Sequence, residues 1–216
     1  MELNKYIEHT LLKQDATKAE VIKLLDEAKQ YNFLGVCVNP VNIKLASDYL
    51  KGTDIKIVTV VGFPLGQSTT ESKVLETIDA VKNGADEIDM VLNTGKLKDQ
   101  EFEYITEEIS KIKTACQDKV LKVILETDLL SQEEIKTASE LCIKGRADFV
   151  KTSTGFVKNG VGAKVEDVKL MHNTVKDAGL GVKASGGVRD KETALAMIEA
   201  GASRIGTSSG INICKN

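Results

Sequence analysis

The chain holds only two histidines, His9 and His172, and they lie far apart in sequence. A zinc site usually draws several His or Cys ligands at close spacing, so metal-assisted chemistry is a poor expectation. The four cysteines (Cys37, Cys116, Cys142 and Cys214) form no CxxC pair, which reads as reduced packing thiols. No apolar run approaches the length of a membrane span, and the N-terminal Met1-Glu-Leu-Asn-Lys-Tyr6 lacks the apolar core of a signal peptide. A cytoplasmic location without membrane contact is therefore expected. The net charge of −3 gives no basic face for nucleic acid. No GxGxxG follows the first strand, which argues against a dinucleotide site. Neither a metal nor a cofactor is expected.

What remains is an ordinary globular composition, 42% hydrophobic and 28% charged, in 216 residues. One domain spanning residues 1–216 suffices, and a single α/β barrel fits the length. Short apolar runs alternate with helix-period segments throughout. Eight strands are expected at Tyr6–Leu11, Leu34–Val38, Lys56–Val61, Glu87–Leu92, Leu121–Glu126, Phe149–Thr152, Gly181–Ala184 and Arg204–Gly206. Capping boxes Thr17-x-x-Glu20, Ser68-x-x-Glu71 and Ser131-x-x-Glu134 open helices between them. The second of these helices has Val74, Ile78 and Val81 as its expected inward stripe. Further helices are expected at Val41–Leu50, Asp99–Gln117, Val165–Ala178 and Lys191–Ala200. Gly84, Gly145 and Gly201 punctuate three helix ends, where glycine supplies a left-handed stop. Regular strand–helix alternation implies a parallel sheet, and eight units imply a closed (β/α)8 TIM barrel.

Three lysines sit inside apolar strand runs: Lys122 in Leu-Lys-Val-Ile-Leu-Glu, Lys151 in Phe-Val-Lys-Thr-Ser-Thr-Gly, and Lys183 in Gly-Val-Lys-Ala-Ser-Gly-Gly. Lysine is rarely buried without a partner or a task. A desolvated lysine near a second cation becomes a neutral amine that can attack a carbonyl. Inward alternation aims Lys122, Lys151 and Lys183 into the barrel, joined by Asp89 of the fourth strand. The other reading of these charges is a structural ion-pair network, which also perturbs pKa values. After strands seven and eight come Ser185-Gly186-Gly187 and Gly206-Thr207-Ser208-Ser209-Gly210. Loops at these places in a barrel often bind phosphate; alone, each is equally an ordinary strand–helix turn. Cys37 and His9 read as packing residues. Together the features point to a Schiff-base enzyme acting on a phosphorylated carbonyl compound.

The strings Asp148-Phe-Val-Lys-Thr-Ser-Thr-Gly-Phe156, Val182-Lys-Ala-Ser-Gly-Gly-Val-Arg189, Gly84-Ala-Asp-Glu-Ile-Asp-Met-Val91 and Arg204-Ile-Gly-Thr-Ser-Ser-Gly210 closely resemble the deoxyribose-phosphate aldolase family, along essentially the whole chain. The resemblance implies a class I aldolase cleaving 2-deoxy-D-ribose 5-phosphate to acetaldehyde and D-glyceraldehyde 3-phosphate. It implies Lys151 as Schiff-base nucleophile, Lys183 as the neighbouring cation that helps keep Lys151 neutral and takes part in proton transfer, and Asp89 as proton donor and acceptor. Substrate contacts would fall on Lys122, Thr152, Gly186, Gly187, Gly206, Ser208 and Ser209, and a homo-oligomer is possible. Alternatives are another Schiff-base barrel of transaldolase type and a non-catalytic sugar-phosphate sensor. The chain departs from the family pattern at Glu8 (usually Asp), Arg146 (usually Gly) and Lys164 (usually Thr).

Overall fold

The eight expected strands form, in chain order, one closed parallel barrel. The computed structural model describes residues 1–215. The strands are β1 (Ile7–Leu11), β2 (Gly35–Val38), β3 (Lys56–Val61), β4 (Glu87–Val91), β5 (Val120–Ile124), β6 (Phe149–Lys151), β7 (Gly181–Ser185) and β8 (Arg204–Thr207). Around them run α1 (Lys18–Tyr31), α2 (Ile43–Tyr49), α3 (Thr70–Asn83), α4 (Thr94–Lys98), α5 (Phe102–Ala115), α6 (Gln132–Lys144), α7 (Val165–Val175), α8 (Lys191–Glu199) and α9 (Gly210–Cys214). Among the described residues no helix is long and apolar enough to cross a membrane.

Two cores result. Outward strand residues such as Val36, Ile88, Val123, Val150 and Ile205 are buried under the helices. Inside the barrel the apolar part is small, made of Leu12, Cys37, Val58 and Val60. The rest of the interior is charged. Register explains which charges meet: Asp89 lies beside Lys122, and Lys151 beside Lys183. Paired residues of a parallel sheet project to one face, so four charged side chains enter one space.

Local departures from the sequence expectation have local causes. The Thr17 and Ser131 capping boxes form as expected, each side chain accepting from the N–H three residues on. The third does not: Thr69, one residue later than Ser68, caps α3 by accepting from the Ser72 N–H. The expected Asp99–Gln117 helix begins only at Phe102, because Gln100 takes a left-handed φ of 60° that separates α4 from α5. Gly145 is not left-handed (φ −76°); Arg146 carries the positive φ of 64° instead. Gly145 is needed for space, since a Cβ there would stand 2.6 Å from Ile109.

Helix α3 keeps Val74 and Val81 partly buried against the core, as expected, but its inward face is shifted. Its buried residues are Thr70, Lys73, Thr77 and Ala80, while Ile78 is half exposed. The reason is an ion pair. Lys73 Nζ, fully buried, lies 2.9 Å from Glu108 Oε2 of α5 and donates to the Val91 carbonyl at 3.0 Å. Thr70 donates to the other Glu108 oxygen. Removing one member of such a pair strands the other charge in the interior. Glu108→Ala should therefore destabilise the fold by about 3–5 kcal/mol in thermal or denaturant unfolding, and Lys73→Met/Glu108→Leu together should recover most of that loss. A single variant within about 1 kcal/mol of the parent would show the pair to be dispensable.

Candidate active site

Strands β1, β4, β5, β6, β7 and β8 deliver seven ionisable groups to the barrel interior. Asp89 is the hub. One of its oxygens accepts from Lys122 Nζ at 3.0 Å; the other accepts from Lys151 Nζ at 2.7 Å and Lys183 Nζ at 2.6 Å. Lys183 also donates to Glu8 in a short contact. Lys122 lies 3.3 Å from Glu8 and in short contact with Glu87. Arg204 closes the ring, 3.5 Å from Glu8 and 3.6 Å from Glu87. Gly206 makes room: a Cβ there would approach Lys183 Cε to 2.9 Å.

The three lysines differ in their electrostatics. Burial opposes the charge of Lys183, but Asp89 and Glu8 outweigh it, and its pKa is raised. Burial likewise opposes the charge of Lys122, and Asp89 and Glu8 again prevail. For Lys151 burial prevails. Asp89 pulls its pKa up, Lys183 pushes it down, and the result lies below the ordinary lysine value. Burial also resists ionisation of Asp89, yet Lys122, Lys151 and Lys183 hold its carboxyl well below the usual range. Four potential cations thus face three carboxylates. Loss of the Lys151 proton balances the charges, and Lys151 is the member whose pKa is lowered.

Lys151 is also the one of the three lysines that lines a cavity, of about 290 Å³, at the C-terminal mouth of the barrel. Its opposite wall is the glycine-serine segment: Ser185, Gly186, Gly187, Gly206 and Ser208 all face it. Gly186 and Gly187 have φ of 80° and 75°, and a Cβ on Gly187 would stand 2.5 Å from the Val161 carbonyl. Glycine alone suits this turn. At the rim stand Lys13 and Arg189, both exposed and without an ion-pair partner among the described residues. A cavity with an amine of lowered pKa on one wall and cations with backbone N–H groups on another can hold an anionic carbonyl compound.

Three expected contact residues are elsewhere. Lys122 is fully buried in the charge network beneath the cavity. The Thr152 hydroxyl donates to the Ser185 carbonyl and accepts from the Ser185 N–H, tying β6 to β7. Ser209 precedes α9 and does not face the cavity. Cys37 is buried beside Val58 and Val60, where burial pushes its thiol pKa up. Glu8, Glu87 and Arg204 escaped sequence reasoning as network members; for Glu87 the available signal was its period-two spacing from inward Asp89 on the same strand. Lys13 and Arg189 lie in loops, where strand alternation says nothing. Among the described residues no three His, Cys, Asp or Glu side chains converge to hold a metal ion.

The profile of the DeoC/LacD family aldolases matches residues 4–216. The chain is 57% identical to the deoxyribose-phosphate aldolase of Brevibacillus brevis, covering 99% of this chain and 95% of that protein. It is 56% identical to that of Finegoldia magna, covering 99% of each. Among solved structures, the aldolase QR15 superposes with a TM-score of 0.93 at 44% identity, over 98% of this chain and 94% of that one. A tetrameric deoxyribose phosphate aldolase from Aeropyrum pernix superposes at 0.88 and 33% identity, over 98% of this chain and 89% of that one.

The charge network makes a prediction about the amine. Lys183→Leu removes a cation and frees Asp89 to pair with Lys151, and both changes raise the Lys151 pKa. Imine formation at Lys151, followed by reductive trapping of a small aldehyde, should become slow at neutral pH. It should recover as pH nears about 10, where an ordinary lysine is partly neutral. Lys183→Arg, which keeps the charge, should trap closer to the parent rate. Parental trapping at neutral pH by the leucine variant would mean that desolvation alone tunes Lys151.

Proposed function

The chain belongs to the DeoC/LacD aldolase family, and on that premise we propose that it reversibly cleaves 2-deoxy-D-ribose 5-phosphate to acetaldehyde and D-glyceraldehyde 3-phosphate through a lysine Schiff base. The observation that carries the reading is Lys151: the cavity-facing member of three clustered lysines, with a lowered pKa, 2.7 Å from a carboxylate.

The neutral Lys151 amine attacks the carbonyl carbon of the open-chain sugar. The carbinolamine loses water to give an iminium ion. The bond between the second and third carbons breaks, its electrons pass into the iminium, and the third-carbon hydroxyl gives up its proton to leave as an aldehyde. The enamine that remains takes a proton at carbon, and hydrolysis of the new iminium returns the amine and releases acetaldehyde. Asp89 is the group placed to take and return protons beside Lys151. Lys183, hydrogen-bonded to the same Asp89 oxygen, is the fixed cation that keeps Lys151 uncharged and Asp89 ionised.

The phosphate falls on the Gly186, Gly187 and Ser208 side, where Lys13 and Arg189 supply positive charge at the rim. Binding there holds the carbonyl end against Lys151, so remote binding energy orients the reacting bond. The tetrameric relative from Aeropyrum pernix supports self-association of this chain as well.

Borohydride treatment with acetaldehyde should add one two-carbon unit, mapped by mass spectrometry to the peptide holding Lys151. Labelling of Lys183 or Lys122 in its place would overturn the assignment, and activity lost to chelators and restored by zinc would overturn the metal-independent chemistry. For the anion, Ser208→Asp should raise KM for the phosphorylated sugar by roughly 10- to 100-fold, the loss expected for a charge-assisted contact. Unphosphorylated 2-deoxyribose should be affected far less. Equal damage to both substrates would remove the phosphate from this wall.

A further inference from the structure

Behind the Thr154–Phe156 wall of the catalytic cavity lies a second cavity of about 230 Å³. Leu65, Val91, Leu129 and Val157 give it apolar sides, Glu126 lines it, and it shares Thr154 and Phe156 with the catalytic cavity. The shared residues form a partition between the two spaces.

Glu126 holds that partition. One carboxylate oxygen accepts from the Thr154 N–H at 3.0 Å, and the other takes a short bond from the Thr154 hydroxyl. The same hydroxyl accepts from the Phe156 N–H at 3.1 Å, so the grip extends across the segment. Phe156 then meets the Phe63 ring edge-on at 5.1 Å. At the far end of the loop Asp128 accepts from the Gly162 N–H at 2.7 Å. Glu126 is buried, lacks a cation within ion-pair distance among the described residues, and adopts a left-handed φ of 61°. An unpaired buried carboxylate and a left-handed glutamate both cost stability. Such costs persist where surrounding structure imposes them, and here they fall beside the reacting lysine.

We propose that Glu126 is a positioning residue: it holds the Thr154–Phe156 segment as a partition, and so sets how large an aldehyde the catalytic cavity accepts. With the carboxylate gone, the segment can relax into the space behind it. The catalytic cavity then widens, loses its fit to the sugar phosphate and admits bulkier apolar aldehydes. Acetaldehyde needs no such wall, so the chemistry at Lys151 should survive. The inference rests on the aldolase reading, and its test is built to fail separately from it.

The test uses Glu126→Ala, Glu126→Gln and Thr154→Val in the full chain. Glu126→Ala should trap acetaldehyde with borohydride within about threefold of the parent, while KM for 2-deoxy-D-ribose 5-phosphate rises about tenfold or more, the scale of one lost charged hydrogen bond. In the synthetic direction, preference for D-glyceraldehyde 3-phosphate over pentanal should fall by a similar factor. Glu126→Gln keeps an acceptor for the Thr154 N–H and should rescue most of both effects. Amide exchange over residues 154–162 should speed up in Glu126→Ala, a readout that needs no catalysis. Unchanged KM and unchanged exchange would overturn the proposal, as would loss of trapping in step with loss of binding. If Glu126→Ala does not fold, Thr154→Val decides by the same split. If the parent traps no aldehyde, the aldolase reading fails, and exchange alone decides whether Glu126 holds the partition.

Discussion

Everything at the mouth of this barrel depends on one carboxylate serving three ammonium groups. Asp89 sits where the inward faces of β4, β5, β6 and β7 meet, and its two oxygens touch Lys122, Lys151 and Lys183 within 3.0 Å. No one pair explains the arrangement. A lone buried lysine would lose its proton, and a lone buried aspartate would gain one. Together they share charge, and of the three lysines Lys151 is the one whose pKa is lowered. Burial of a charged cluster is a poor source of stability. It makes sense here as a device for lowering the pKa of one amine among groups held ionised.

The backbone fixes which side chains can join. Parallel register puts Lys151 beside Lys183 and Asp89 beside Lys122, so the contacts follow from strand pairing and need no special loop. Glu8 is a longer side chain of this ring than Asp89. Its register neighbours are Gly35 on one side and Gly206 on the other. The glutamate reaches Lys183, Lys122 and Arg204 together, while glycine at 206 leaves space for Lys183 beside it.

Much of this was legible in the chain, for a physical reason. Period-two alternation and period-3.6 stripes report which way a side chain points, so the eight strands and the convergence of Asp89 with the three lysines could be read directly. Side chains whose burial depends on a distant partner could not. Lys73 looks like a solvent-facing residue of α3 until Glu108, from another helix, is placed against it. The family resemblance implied Lys122 as a substrate contact, while its depth along the strand puts it beneath the cavity, fully buried in the charge network. Arg189 and Lys13 belong to loops, whose geometry follows from the barrel ends and not from a local repeat. The family resemblance named the lysine and aspartate roles, yet gave no hint of Glu87 or Arg204, which complete the charge balance.

The barrel interior is asymmetric, and the asymmetry matters to the chemistry. Strands β2 and β3 contribute Cys37, Val58 and Val60, with Leu12 and Phe63 packed against them. The other six strands carry the charges. An apolar wall beside the network keeps the local dielectric low, so each contact with Asp89 is stronger than it would be in water. The same wall raises the cost of any charge left unpaired. That cost falls on Lys151, which shares its carboxylate oxygen with Lys183, while Lys183 has Glu8 as a second acceptor. The weaker claimant is the lysine whose pKa is lowered. In this way apolar residues that touch no reacting group help decide which of three chemically identical amines can act as a nucleophile.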